Sequence, residues 1–359
     1  MAGEVELGMT QSSDRSKPRV AVIGVGSMGR NHARVFSDME DVDLVAVSDS
    51  DPETLETIAA RYHSKPYADY KKLLANESLD IVTVAVPTRL HLQVAEDVIN
   101  RGVSLLIEKP LSSTVEDGRR ILEMANANGV TLGVGHVERF NPVVSMLKSN
   151  LDEGNLGRVF QITIRRFGPF PQRTMDVGIF LDLATHDIDI MYYLTGAEVQ
   201  RVSAESAQLL PTKHEDLGVG LIRFTNGVIG VLIENWLSPT KVRDIVVNGE
   251  RGMFVADFLS QDLFFYENDY TSSGWESLQV FRGVSEGNMT RYQLNREEPL
   301  KLELEAFVRS VLNEEPFLVS GEDGLRAMQV AQQMADCSVE NRESTLDTSL
   351  PNGTDNALR

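Results

Sequence analysis

From Arg19 onward, short apolar runs alternate with longer stretches of helical period: RVAVIG, VDLVAVSD, DIVTVAVP, VSLLIEKP and VTLGVG each adjoin an amphipathic segment. Runs that are apolar on both faces suit parallel strands covered by helices on each side, so the alternation predicts a doubly wound parallel sheet over about residues 18 to 136. Helix starts are legible as well. Asp51-Pro52 and Asn141-Pro142 each place a capping side chain before a proline at the first helical position. Beyond about residue 155 the pattern changes to longer alternating strands: VFQITIRRF, LGVGLIRFTNGVIGVLIENW and VRDIVVNGERGMFVAD, with Asn226-Gly227 and Asn248-Gly249 as hairpin signals. A helix over about Phe180 to Leu194, closed by Gly196, precedes the hairpins, and helices near Leu300 to Leu312 and Gly324 to Val339 follow them.

The first strand runs into Gly24-Val25-Gly26-Ser27-Met28-Gly29, which opens a helix with Met28, Val35 and Phe36 on one face. Glycines in this pattern allow a tight turn, close approach of backbone N–H groups to a pyrophosphate, and tight packing of helix on strand. Asp49 ends the second strand, where a carboxylate accepts hydrogen bonds from the ribose hydroxyls of NAD and repels the additional phosphate of NADP. NAD is therefore expected over NADP, although a cation such as Arg61 could neutralise that phosphate. The expected fold class is α/β: an N-terminal Rossmann doubly wound parallel sheet plus a C-terminal α+β domain with an open, mostly antiparallel sheet. The expected division is a disordered tail over 1–17, a nucleotide-binding domain over 18–136, a substrate-binding and oligomerisation domain over 137–341, and a second tail over 342–359.

Leu106-Ile107-Glu108-Lys109-Pro110 ends a later strand, which aims Lys109 into the crevice where ligands of such sheets collect. The helix FLDLATHDIDIMYYL sets Asp182, His186 and Asp189 on one polar stripe, with Phe180, Leu181, Ala184, Ile188 and Met191 on the buried side. A histidine can take a proton from an alcohol while a nearby lysine stabilises the oxygen and an aspartate orients either partner. His186 and Lys109 both remain candidates for the proton acceptor. His32, His63 and His214 lack such spacing and read as surface or packing residues.

Composition narrows the field. With 359 residues the chain exceeds one core, and a formal net charge of -19 disfavours nucleic acid and anionic membrane as partners. No apolar run approaches the roughly 18 residues that a membrane helix needs. The single cysteine, Cys337, permits no internal disulfide and no structural zinc site; with an N-terminus unlike a signal peptide, this suggests the cytoplasm. No metal is expected.

The segments VAVIGVGSMGRNHARVF, AVPTRLH, EKP, VGHVERFNP and DVGIFLDLATHDID, in this order over about residues 18 to 340, resemble the Gfo/Idh/MocA family of nicotinamide-dependent oxidoreductases. The resemblance implies oxidation of a sugar or cyclitol hydroxyl by oligomers, homodimers or homotetramers, joined through the C-terminal sheet. It implies Lys109, Asp182 and His186 as the catalytic set. Cofactor contacts carry over to Gly24, Gly26, Ser27, Met28, Gly29, Asp49, Ser50, Pro87, Thr88, His91, Glu108 and Lys109. HVERFNP together with RRFGPFPQRTMDVG is similar to the sugar-nucleotide dehydrogenases of the family, which implies the C3 hydroxyl of UDP-N-acetylglucosamine or a related UDP-sugar as the point of attack. Substrate contacts are then expected from His136, Arg139, Phe140, Arg166, Arg173, Asp182 and His186, with Arg139, Arg165, Arg166 and Arg173 available to a diphosphate. A dehydrogenase of another polyol and a non-catalytic NAD-binding regulator are the competing expectations.

Overall fold

The computed structural model describes residues 17–170, 177–211, 213–269 and 285–339; Arg173 and most of both expected tails lie outside the described residues. Six parallel strands form the first sheet: β1 (Arg19–Ile23), β2 (Asp43–Ser48), β3 (Lys65–Tyr67), β4 (Ile81–Val84), β5 (Ser104–Glu108) and β6 (Leu132–Gly135). Their order is β3-β2-β1-β4-β5-β6, with the reversal between β1 and β4. That is the dinucleotide-binding order, and its ligand crevice lies at the carboxyl ends of the strands beside the reversal. β3, whose three residues carry a proline, was too short to show as an apolar run. The helices between the strands are α1 (Gly29–Asp38), α2 (Pro52–Arg61), α3 (Tyr70–Asn76), α4 (His91–Ile99) and α5 (Val115–Asn128). Asp51 caps α2 through the Thr54 N–H, and Asn141 caps α6 (Pro142–Asp152) through the Val143 N–H, as the two proline dipeptides foretold.

The second sheet comprises β7 (Val159–Pro169), β8 (Val199–Ala207), β9 (Leu217–Phe224), β10 (Ile229–Asn235), β11 (Leu237–Gly249), β12 (Gly252–Asp257), β13 (Asp262–Asp269) and β14 (Ser285–Tyr292). Its order is β14-β13-β12-β11-β7-β10-β9-β8, antiparallel except where β10 runs beside β7. Asn226-Gly227 turns β9 into β10 as expected, with Gly227 at φ +90°. The other Asn-Gly is not the turn. Asn248 and Gly249 stay in the ladder opposite Met253 and Gly252, and Glu250-Arg251 makes the two-residue loop. Gly249 serves packing instead, since a Cβ there would stand 2.6 Å from Leu156 Cγ.

α7 (Thr185–Thr195) lies on the inner face of this sheet and begins with a single π turn over Phe180–Ala184. After β14 come α8 (Pro299–Asn313) and α9 (Gly321–Val339). This last part of the chain returns to the first sheet. Leu300, Leu304, Phe307, Val308, Phe317 and Val319 all join the core of the parallel sheet. Val319 accepts the Val134 N–H at 3.1 Å, so the segment before α9 covers the β6 edge. α9 faces both cores, giving Leu325 and Met328 to one and Ala327, Val330, Ala331 and Met334 to the other.

Candidate active site

The three glycines after β1 have distinct surroundings. Gly24 holds φ +88°, and a side chain there would stand 2.7 Å from the Ala85 carbonyl on the neighbouring strand's exit. A Cβ at Gly29 would fall 1.8 Å from the Gly24 carbonyl oxygen, so α1 starts against the turn itself. At Gly26 a Cβ would meet nothing within 4 Å. That open side is where a pyrophosphate would approach backbone N–H groups, and no side chain caps the helix start at Met28. Ser27 is exposed beside it. Asp49 accepts the Val25 N–H at 2.8 Å through one oxygen and the Asp51 N–H at 3.0 Å through the other, which clasps the glycine turn to the end of β2. Its carboxylate stays half-buried, with Ser50 exposed next to it, so the residues present fit an NAD molecule laid across the reversal.

At the end of β5, Glu108 is buried and binds the His32 ring at 2.8 Å. Burial works against the Glu108 carboxylate, but the His32 hydrogen bond and the charges of His32 and Lys109 outweigh it and hold its pKa below the ordinary value. His32, expected to be a surface or packing residue, thus anchors the acid that precedes the lysine. The Lys109-Pro110 bond is cis. His91 sits behind it with its ring between the carbonyls of Pro110 at 2.9 Å and Val86 at 3.0 Å, and in either neutral tautomer it donates to one of them. Pro87 is exposed at the end of β4, and Thr88 is buried.

Lys109 crosses from the first sheet to the π turn. Its ammonium donates to the Asp182 backbone carbonyl at 2.6 Å and to Asp182 Oδ1 at 2.7 Å, with only 12% and 7% of the two side chains exposed. His186 lies one turn further on, its ring edge-on to His136 with centroids 5.7 Å apart. Burial first, and then the positive charges of Lys109 and Arg166, push its imidazole well below the ordinary histidine range. It is a neutral base in a buried site, and its Nδ1 makes no hydrogen bond among the described residues.

The polar stripe of α7 does not face solvent. Asp182, His186, Asp187 and Asp189 are all buried, because the helix is wedged between the antiparallel sheet and the segment after β6. Leu181, placed on the buried side by its spacing, is only half-buried. The wedge also decides the fate of the arginines. Arg139 gives both prongs of its fork to Asp189, at 2.6 and 2.7 Å, and reaches the Leu318 carbonyl. Arg166 binds Asp187 at 2.6 and 3.0 Å and Glu138 at 3.3 Å. Neither fork is open to a diphosphate, contrary to the expectation for Arg139 and Arg166. Arg165, one residue along β7, points to the opposite face and pairs with Asp244 there, away from the crevice. Phe140 stacks on Phe317 in the core, so it is a packing residue rather than a substrate contact.

Four further charged residues of this cluster were not foreseen: Glu138, Asp187, Glu234 and Arg243. Among the described residues neither Glu234 oxygen has a donor to accept from, and burial, followed by the Asp187 carboxylate, pushes its pKa well above the ordinary range. Burial beside Asp187 thus favours the neutral form of Glu234. The sequence held a signal for it. Gly230, Leu232 and Glu234 share the inward side of β10, as Ile162, Ile164 and Arg166 share that of β7, and a charge at an inward position needs a partner. Among the described residues no cluster of His, Cys, Asp and Glu forms a metal site, and no helix is long and apolar enough to cross a membrane.

Residues 18–136 match the profile of an oxidoreductase family with an NAD-binding Rossmann fold, and residues 144–255 match the Gfo/Idh/MocA C-terminal domain. The chain belongs to the Gfo/Idh/MocA family. It is similar to the UDP-N-acetylglucosamine 3-dehydrogenase of Acidithiobacillus ferrooxidans, with 27% identity across 88% of this chain and 96% of that one. A crystal form of that enzyme superposes with a TM-score of 0.79, at 26% identity over 89% of this chain and 97% of the other. The myo-inositol 2-dehydrogenase of Thermotoga maritima is 30% identical over 86% of this chain and 93% of that one. As a Gfo/Idh/MocA protein, the chain is an NAD-binding oxidoreductase of CH–OH groups.

Proposed function

We propose that this dehydrogenase oxidises a hydroxyl of a UDP-linked sugar, the C3 hydroxyl of UDP-N-acetylglucosamine or a close relative of it. One observation carries the chemistry: the ammonium of Lys109, fixed by Asp182, lies at the crevice beside a neutral His186. Bound NAD supplies the hydride acceptor. Gly26 and the rest of the glycine turn receive its phosphates, and Asp49 faces its ribose. Lys109 has two N–H groups committed to Asp182, and the third donates to the substrate oxygen and stabilises charge that develops there. His186 takes the hydroxyl proton, and Asp182 holds Lys109 in place. Glu108, itself held by His32, sets the end of the strand from which Lys109 reaches.

The likeness to a UDP-N-acetylglucosamine 3-dehydrogenase in both sequence and structure supports the sugar-nucleotide reading. The similar match to a myo-inositol 2-dehydrogenase favours a second reading, oxidation of a free cyclitol. Absorbance at the reduced-nicotinamide band, after mixing protein, NAD and UDP-N-acetylglucosamine, separates them. Signal that requires the uridine diphosphate supports the first reading, whereas silence there with signal from myo-inositol replaces it by the second. We assign a second copy of the chain to the open face of the antiparallel sheet. Val219, Leu221 and Ile229 stand 36%, 49% and 36% exposed on that face. A solution mass of 39.8 kDa, that of one chain, would refute this assembly.

A further inference from the structure

β7 and β11 place two arginines, Arg166 and Arg243, directly opposite each other. Like charges facing across a ladder destabilise it, so both need counter-charge. Arg166 has it: its side chain is 3% exposed, with Asp187 held through both prongs and Glu138 beside it. Arg243 does not. Its one ion pair among the described residues runs from Nη1 to Glu138 at 3.5 Å, a long contact to the same oxygen that Arg166 already uses. Its side chain is 35% exposed.

Arg243 nonetheless borders the catalytic helix, because it stands opposite Arg166, whose fork holds Asp187, the residue after His186. Its charge is among those that keep His186 neutral, and Asp182 and Asp187 are among the carboxylates that pull on it. Burial, followed by the charge of Arg166, lowers its own pKa, as befits a guanidinium short of counter-charge. Arg139 and Arg166 have filled forks, whereas Arg243 keeps N–H donors unspent among the described residues, on the same face as Arg166.

We propose that Arg243 reads an anionic oxygen of the substrate, a phosphate oxygen of a nucleotide-linked sugar, and so gives the enzyme its preference for an anionic substrate over a neutral polyol. This rests on the sugar-nucleotide reading above and names the residue that enforces it. A guanidinium with an open fork matches two oxygens of a phosphate at once, and a ring carboxylate offers the same geometry.

Steady-state kinetics of the wild type, Arg243→Gln and Arg243→Lys test this with UDP-N-acetylglucosamine, glucuronate and myo-inositol, each with saturating NAD. Loss of a charge-assisted bond to the substrate raises KM for UDP-N-acetylglucosamine by about tenfold to a hundredfold in Arg243→Gln, and kcat changes far less. Arg243→Lys, which keeps the charge and loses the fork, falls between and serves if Arg243→Gln does not fold. NAD affinity reports folding of each variant. An unchanged KM for UDP-N-acetylglucosamine in the variants overturns the assignment and leaves the substrate reading intact. A wild type that oxidises glucuronate but not the UDP-sugar, with KM for glucuronate raised in Arg243→Gln, upholds Arg243 as the anion reader and moves the anion to the sugar ring. A wild type that oxidises only myo-inositol overturns both.

Discussion

Replacing Lys109 with methionine should produce two separable losses, one of stability and one of turnover. The ammonium is 2.7 Å from a carboxylate whose side chain is 7% exposed, so its removal takes one cationic partner from the buried Asp182. Breaking one side of a buried pair costs about 3–5 kcal/mol. The 12% exposure of Lys109 and a further interaction of Asp182 place this case toward the lower end. For a chain of 359 residues that is a fall in Tm of roughly 4–6 °C. Lys109→Met combined with Asp182→Asn removes the carboxylate charge as well, so most of that fall should be recovered. Turnover should not recover, because the donor to the substrate oxygen is still missing, and such donors contribute about 10²–10³ in kcat. The charge of Lys109 also helps to depress the pKa of His186, so in the single variant the acidic limb of kcat/KM should move to higher pH. Thermal melts of wild type, both single variants and the double variant form the stability cycle, and NADH formation across pH gives the rest. A Lys109→Met protein that melts with the wild type and turns over within tenfold of it would refute both the ion pair and the donor role.

The glycine turn makes a sharper distinction than motif matching does. Gly26→Ala should melt as the wild type does, because its Cβ meets nothing within 4 Å, yet it should bind NAD weakly; Gly29→Ala should lose stability, because its Cβ would fall 1.8 Å from a carbonyl oxygen. Calorimetric NAD titration beside a melting curve would show this, and weak NAD binding confined to the unstable variant would contradict it. For pH, His186 acts as a base below its ordinary range, so kcat/KM should hold steady as pH falls through 6.5 and decline only well below it. His91, His136 and His186 all have folded-state values below 6.5, so the unfolded chain binds more protons; the stability their neutrality confers is present above 6.5 and lost as pH falls through the folded values. Melting curves between pH 8 and pH 5 would test the sign.

The parallel sheet, the glycine turn and the placing of Asp182 and His186 one turn apart were legible because each depends on local signals: doubly apolar strands, turn chemistry and side-chain spacing. Residues whose role depends on distant partners were not. Arg166 is identical in type to an anion-binding arginine until Asp187 and Glu138 are folded against it, and Asn248-Gly249 reads as a turn until Leu156 packs on Gly249. The one readable warning was positional. Arg166 and Glu234 occupy inward slots of alternating strands, where charge is costly enough to imply a counterpart on another element.

The return of the chain to its first core has a consequence for synthesis. Leu300, Phe307, Phe317 and Val319 fill space beneath β5 and β6 that the first half of the chain cannot fill by itself. A nascent chain that has reached the end of β6 therefore carries the finished glycine turn and an unfinished apolar face together. That face waits for more than 160 further residues to emerge, including the whole antiparallel sheet. At about 5–20 residues per second the delay is on the order of 10–30 s, a window in which chaperones can bind the half-made protein.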